Sequence, residues 1–567
     1  MLPIPRASAI LKRSPQSELL LRSSHPTVWA LAVAIALAAA LVLTQINVIR
    51  LLGLHYDEVL FVNAATEGFL NPDNSLFVRR RLFGIPVLLM DYIGALKAWI
   101  YVPIFSVFGV NVWSIRLPML MATITSLFLA TRMVGESPRT WRGVVLVLVL
   151  VVDPVFWISS TADTGPIAIA ALLRVLSITM VMDVVRSGQT PRNGWFTLLA
   201  ISISLGVFNK LDFAFFSIPF IAISTFLFAP RWKEIWPKRK ADALVALATL
   251  VAGHAFFTYY MLLPSQASRP QTDVTGLDRI RRRVDLLDTT FDGRFTMDLI
   301  GGAGERPQFL LTSEILTVGL LMSIGISLRG RFGRRANAMS LKGSALAGNL
   351  EYLTWLTVGI LAVQLLTSGV QAPWHILHLW PLPQAILVSL VLSRTPSLQF
   401  GPWVIRTAAL ALCAAAVLVS LSTSRDVWSL VQDSTRRTVI WSDDVKTLAS
   451  ELGALADRTG RPIPAVTADW GIGTQLQALT LDRGDVYVKD FWPQFPDGDL
   501  IKIRDVLNYH TPDQATQVVL VRHRAEAVLV VVNSIEVTQQ LIEECGQPDN
   551  SAQIYAGRHI EAFLTNC

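Results

Sequence analysis

Two adjacent carboxylates, Asp57 and Glu58, stand in the run His55-Tyr56-Asp57-Glu58-Val59, a few residues beyond the first long apolar segment, 28–43. An acidic pair is costly to hold beside lipid, and ionisable residues in such places mark substrate, ion or proton sites more often than lipid-facing structure. A desolvated carboxylate has a raised pKa and suits the task of taking a proton from an acceptor hydroxyl or phosphate. Neighbours on a helix point about 100° apart, so the two acids have different roles. One can be a general base, and the other structural or a ligand to a metal or a second substrate group. The plain alternative is that the pair only starts a helix, where acids are electrostatically favoured.

Further chemistry-bearing residues fall at comparable places. Asp163 lies in Ser159-Ser160-Thr161-Ala162-Asp163-Thr164-Gly165-Pro166. Asp followed by Pro three residues later is a helix start, and it also puts a carboxylate at the same membrane face as Asp57. Asp153 is a rival for that role, but Pro154 follows it directly and a kink accounts for it as well. Lys97, after Tyr92, and Lys210, in Phe208-Asn209-Lys210-Leu211-Asp212, are cations with a use for a phosphate partner. Snorkelling to headgroups is the alternative for Lys97, and an ion pair with Asp212 is the alternative for Lys210. Arg279, Arg281, Arg282 and Arg283 alternate with acids, the pattern of a solvated helix, yet one of them can clamp a phosphate. His375 and His378 are three apart in Trp374-His375-Ile376-Leu377-His378. They can share a helix face in a substrate site or, with an acid, hold a divalent metal. No Walker loop, dinucleotide fingerprint, His-Glu-x-x-His or Gly-x-Ser-x-Gly is present, which argues against an ATP-driven pump, a dehydrogenase and a serine hydrolase.

The elements that must position these groups are membrane helices. The 567 residues are 52% hydrophobic and 16% charged, with a mean hydropathy of +0.47. A soluble chain carries about 25% charged residues. A span needs about 20 mostly apolar residues, and eleven segments read as spans: 27–48, 113–134, 143–160, 164–184, 195–208, 213–229, 241–263, 309–328, 350–368, 376–392 and 403–422. No cleavable leader is expected at the start. Basic residues collect in alternate loops, from Arg6, Lys12, Arg13 and Arg22 through Arg139 and Arg142, Arg186 and Arg192, and Arg231 to Lys240. By the positive-inside rule these loops are cytoplasmic. The alternation requires 97–108 to be a re-entrant or interfacial helix rather than a full crossing. The net charge of +7 then reflects topology and implies no nucleic acid.

The expected architecture is a polytopic α-helical membrane protein with a cytoplasmic N-terminus (1–26), a membrane domain (27–424) and outer loops at 50–112 and 264–308. A C-terminal α/β domain (425–567) lies outside the membrane. Its apolar runs at 518–521 and 528–532 suit buried strands, and 443–458 and 536–544 suit helices. Cys413 is a small apolar filler, and Cys545 and Cys567 are either a disulfide or two thiols.

Taken in order, the motifs resemble those of a known group. Asp57-Glu58 after the first span, the Tyr-x-Gly-x-x-Lys segment (Tyr92 to Lys97), Phe108-Gly109 and Arg116-Leu117-Pro118 are similar to the GT-C superfamily of membrane glycosyltransferases. The nearest branch holds the protein O-mannosyltransferases and the lipid A aminoarabinose transferase. Asp163, the Asn209-Lys210 turn and the His-x-x-His-x-x-Pro stretch from His375 to Pro381 match that branch too. The resemblance covers roughly residues 27–392. It implies a GT-C-like fold and a sugar donor linked to polyprenyl phosphate, with inverting transfer to a protein, lipid or polysaccharide acceptor at the outer face of the inner (plasma) membrane. Asp57 matches the family's catalytic acid and Asp163 a second acid near the acceptor. Lys97 and an arginine of the second outer loop would hold the donor phosphate. The aminoarabinose branch usually has Glu-Lys-Pro where this chain has Ala95-Leu96-Lys97-Ala98, which leaves the acceptor open. The competing class is a transporter or flippase of a lipid-linked glycan, for which acids buried mid-span in two matching halves are expected.

Overall fold

A computed structural model describes residues 27–567 apart from 71–77, 91, 263–275, 303–304, 306, 308–310, 337–344, 368–372, 393–401, 468, 470, 482, 491–516, 525–533, 546–551 and 566–567. The first span, α1 (Val28–Leu51), is capped by the Thr27 hydroxyl, which accepts from the Ala30 amide. A short link leads to α2 (Tyr56–Leu70), whose first turn carries Asp57 and Glu58. A three-stranded antiparallel sheet follows, β1 (Arg80–Leu82), β2 (Ile85–Met90) and β3 (Ile93–Gly94). Next comes α3 (Leu96–Phe108), ended by Gly109 at a φ of 67°. With 13 residues it is about 20 Å long, too short for a hydrocarbon core of about 30 Å.

The bundle continues with α4 (Val112–Met133), α5 (Trp141–Val151), α6 (Pro154–Thr161), α7 (Ile167–Ser187), α8 (Trp195–Asn209), α9 (Ala214–Leu227), α10 (Ala229–Ile235) and α11 (Lys240–Leu262). Then follow α12 (Gly276–Phe291), α13 (Arg294–Gly301), α14 (Thr312–Ala336), α15 (Ala345–Leu366), the short α16 (Pro373–Ile376), α17 (Leu382–Leu392) and α18 (Pro402–Gln432). Among the described residues seven helices are long and apolar enough to cross a membrane, or up to nine if each of two bent pairs is one span. The chain is a multi-pass membrane protein, and this count among the described residues stands beside eleven expected spans.

Three of the expected spans are bent or short among the described residues. Expected span 143–160 is broken by 79° between α5 and α6. There Asp153 caps α6 by accepting from the Val155 amide at 2.9 Å, and its other oxygen accepts from Gln384. Asp153 thus serves the kink. Expected span 213–229 is half of a pair bent by 81°. Expected span 195–208 is the 15-residue α8, which packs along α11, and α11 itself runs to the edge of the described residues. The main core is apolar and lies among the helices, with Phe156, Phe216, Leu353, Trp380 and Leu387 fully buried.

Helix α18 runs unbroken through Ser424 and Arg425, the boundary read from composition, and leads into the C-terminal unit. That unit holds α19 (Asp444–Thr459), β4 (Ile463–Thr467), α20 (Ile472–Thr480), β5 (Val486–Asp490), β6 (Val518–His523), α21 (Ser534–Cys545), β7 (Ala552–Ala556) and β8 (Ile560–Thr565). The sheet order is β5-β4-β6-β8-β7, parallel for β5-β4-β6 and antiparallel beyond. This is the expected α/β unit. Its core includes Leu448, Leu452, Leu476 and Val519. The expected strand 528–532 and the side chains of Cys545 and Cys567 lie outside the described residues. Cys413 is a buried free thiol in α18.

Candidate active site

The α1–α2 link is fixed by one arginine. Arg116, in the first turns of α4, is fully buried. Its Nε and Nη2 donate to the two oxygens of Glu58 at 2.6 and 2.8 Å. Nη1 donates to the carbonyls of Ile49 and Leu52, both at 3.1 Å, and Nη2 to that of Gly53 at 2.6 Å. All five guanidinium N–H groups are therefore used. Glu58 also accepts from the His55 amide at 3.0 Å. Burial works against ionisation of Glu58, but the Arg116 charge and its hydrogen bonds outweigh it and hold the carboxyl below its usual range. Glu58 is thus a structural anchor.

Asp57, one residue earlier, faces elsewhere. It is only partly buried, and its carboxylate makes no ion pair or hydrogen bond among the described residues. Its amide donates to His55 Nδ1 at 3.1 Å, which fixes the first turn. Burial lowers the pKa of His55, against the opposing pull of Asp57 and Glu58. Tyr92 lies within electrostatic range of both Asp57 and Asp212. Burial first, and then these two carboxylates, raise its phenol pKa.

A second cluster holds Lys97 and Asp163. The Lys97 ammonium is fully buried and lies 2.8 Å from Asp163 Oδ2. It also donates to the carbonyls of Asp163 and Gly165 at 3.0 and 3.3 Å, so its three donors are used. The other carboxylate oxygen of Asp163 accepts from the Ala168 amide at 2.7 Å and caps α7. Burial raises the Asp163 pKa, opposed by the Lys97 charge. The two residues expected to act separately on acceptor and donor are each other's partners. This fits the capping alternative for Asp163 and leaves Lys97 without a spare proton donor.

The third cluster centres on Asp212. Lys210 Nζ is 3.1 Å from one of its oxygens, and His375 Nε2 is 3.6 Å from the same oxygen. His378 Nε2 is 3.2 Å from the other. Arg174, inside α7, meets His378 Nδ1 at 2.9 Å and donates to the carbonyls of Leu377 and Trp380. The loops are tied together. Ile93 bridges Lys210, the Leu211 amide donates to the Tyr92 carbonyl at 2.9 Å, and Asn209 donates to the Pro166 carbonyl at 2.8 Å. Among the described residues no group of three or more His, Cys, Asp or Glu is arranged to hold a metal ion.

Residues 95–256, which include Lys97, Asp163 and Lys210, match the sequence model of the dolichyl-phosphate-mannose-protein mannosyltransferases. Two crystal structures of ArnT from Cupriavidus metallidurans are similar to the chain, and the first shares its architecture. The apo form is 10% identical, with a TM-score of 0.54, and the match covers 94% of this chain and 97% of that one. The form bound to undecaprenyl phosphate is also 10% identical over the same shares, with a TM-score of 0.48. No curated protein sequence matches the chain. The chain resembles the GT-C superfamily of membrane glycosyltransferases.

Against that GT-C-like frame the remaining expected residues separate. Arg282 is exposed and Arg279 partly buried on α12. This helix packs on α16, the turn carrying His375, so it borders the Asp212 cluster. The buried arginine is Arg283, which donates to the carbonyls of Gln364 and Thr367. Sequence reading overlooked three residues. Arg116 entered only as part of Arg-Leu-Pro, Asp212 only as a partner for Lys210, and Arg174 not at all. A signal existed for Arg174 and Arg116, because both are cations within spans, where ionisable residues are expensive.

Proposed function

We propose that the protein transfers a sugar from a polyprenyl-phosphate donor to an acceptor hydroxyl at the outer face of the cell membrane, with Asp57 as general base. One observation carries the assignment: of Asp57, Glu58, Asp163 and Asp212, only Asp57 has a carboxylate outside every ion pair among the described residues. A partly buried carboxylate held on a fixed turn is suited to accept a proton. The family model over residues 95–256, whose description contains dolichyl phosphate and mannose, supports the donor class.

In this reading the acceptor oxygen attacks the anomeric carbon while its proton passes to Asp57. The bond from that carbon to the phosphate oxygen breaks, and its electron pair leaves with the polyprenyl phosphate. Attack opposite the leaving group inverts the anomeric centre. Lys210 is the cation we assign to the phosphate, since Asp212 takes only one of its three donors, with Arg279 and Arg282 bordering the same cluster. Lys97 and Asp163 hold the α3 and α7 ends in register, and Glu58 with Arg116 fixes the turn that presents Asp57. Residues 27–424 form the catalytic unit and 425–567 a unit outside the membrane on the same side as Asp57.

The test is a comparison of envelope glycans, glycolipids and glycoproteins by mass spectrometry between wild-type cells and cells lacking the protein. A single sugar should be missing from one acceptor class, restored by the wild-type chain and not by Asp57→Asn. Build-up of whole lipid-linked glycans on the cytoplasmic side, with every acceptor affected, would instead indicate a flippase.

A further inference from the structure

The hairpin β1–β2 has a tip that neither folding nor the transfer reaction accounts for. Leu82 pairs with Ile85 across a two-residue turn, Phe83-Gly84, with φ values of 51° and 81°. Both positive values belong to the turn class that favours Asn-Gly, and a bulky residue at positive φ is a backbone outlier. Phe83 nevertheless occupies that position and is 95% exposed. Leu82 and Ile85 beside it are 39% and 47% exposed. Three arginines, Arg79, Arg80 and Arg81, immediately precede the tip, and Arg81 Nη1 donates to the Gly84 carbonyl at 3.2 Å.

Strand β2 is tied, close to the turn, to the first turns of α3. The Trp99 indole donates to the Pro86 carbonyl at 2.7 Å and its ring lies 5.0 Å from that of Phe208, in the last turn of α8. Trp99 and Trp113 are both partly exposed, and the Arg50 guanidinium stands 5.4 Å over the Trp113 ring at the ends of α1 and α4. Tryptophans at the ends of spans are the mark of the membrane–water interface. Pro86 pairs with Arg81, and one further pair, Leu82 with Ile85, separates it from the turn, so the tip lies within about 10 Å of this contact and within reach of the headgroup layer. The exposed apolar surface continues from Trp113 to Leu117 and Met121 on the lipid-facing side of α4.

We propose that this hairpin is an interfacial anchor. Its tip of Leu82, Phe83 and Ile85 enters the boundary of the phospholipid leaflet on the Asp57 side, and Arg79 to Arg81 meet the lipid phosphates. Arginine matches phosphate geometry and charge, and a basic segment beside a membrane favours anionic lipids. The anchor has a consequence for the site. Strand β2 leads directly to Tyr92, and Ile93 bridges Lys210, so hairpin depth sets the depth of both residues relative to a lipid-borne donor.

The test uses the full chain with p-benzoylphenylalanine in place of Phe83, reconstituted in nanodiscs of phosphatidylcholine with phosphatidylglycerol and irradiated. The exposed position leaves the core untouched. The same replacement at Leu117 serves as the lipid-facing reference. Phospholipid adducts at position 83 are expected, as at position 117. Adducts at position 117 with none at position 83, or cross-links from position 83 to a second copy of the chain, would overturn the proposal. Combining the replacement with Arg79→Gln, Arg80→Gln and Arg81→Gln should lower the phosphatidylglycerol share of the adducts by about fivefold or more. An unchanged share would overturn the part given to the arginines. The readout needs no turnover, so its outcome is separate from that of the transferase assignment.

Discussion

Asp57 and Glu58 are neighbours in sequence with opposite surroundings. Glu58 is enclosed by Arg116 and the His55 amide, while Asp57 keeps its carboxylate outside any ion pair among the described residues. Lys97 has the same kind of enclosure, which gives a direct prediction. Lys97→Met should leave Asp163 charged and buried without its partner and lower stability by about 3–5 kcal/mol. Adding Asp163→Asn should recover part of that loss in thermal unfolding. A raised KM for the lipid donor at unchanged stability would instead restore the phosphate role to Lys97. His55 gives a pH prediction. Burial holds its folded pKa below the ordinary value of about 6.5. Below about pH 6.5 the unfolded chain therefore binds the proton more readily, and stability falls as pH drops from there through the folded pKa. The drop in melting temperature between about pH 7.5 and about pH 5.5 should be smaller in His55→Gln than in the wild type. At this scale the sequence singled out Asp57, because acids beside a membrane exit are rare. It hid the enclosure of Lys97, whose partner is 66 residues away.

The elements matter through how closely they approach. Strand β3 lies against the end of α8, and a Cβ on Gly94 would come within 1.9 Å of the Phe208 carbonyl oxygen. Gly94→Ala should push β3 away, break the Leu211–Tyr92 hydrogen bond and separate Tyr92 from the Asp212 cluster. The expected outcome is a large fall in kcat/KM for transfer with the chain still inserted, read in proteoliposomes. Wild-type activity would show that the β3–α8 contact does not position the site. Hydropathy made the long helices readable, as well as the short α3, since charge alternation required that 97–108 not be a crossing. It did not show the bends within α5–α6 and α9–α10, because an apolar run does not report one. At Asp153-Pro154 the local chemistry did report one, and the kink reading given to Asp153 matches its cap on α6.

At the scale of the molecule, the C-terminal α/β unit braces the turn that carries Asp57, the proposed base. The Gly53 amide donates to the Trp441 carbonyl at 3.1 Å, Gln475 to the Leu54 carbonyl at 2.6 Å and Asn63 to the Thr474 carbonyl at 3.1 Å. Composition marked the α/β unit by its shift to polar helices and short apolar runs. The docking was not legible, since these bonds join groups about 400 residues apart and mostly use backbone atoms. Membrane helices, Arg116 and the C-terminal α/β unit together hold residues 53–58 from three sides, an arrangement suited to the proposed base. The measurement that bears most directly on this is sugar transfer by purified Asp57→Asn in proteoliposomes, beside donor binding and thermal unfolding of the same protein. The account predicts a loss of turnover of at least about 10²-fold with donor binding and melting temperature unchanged. Turnover at the wild-type rate in that variant would contradict it.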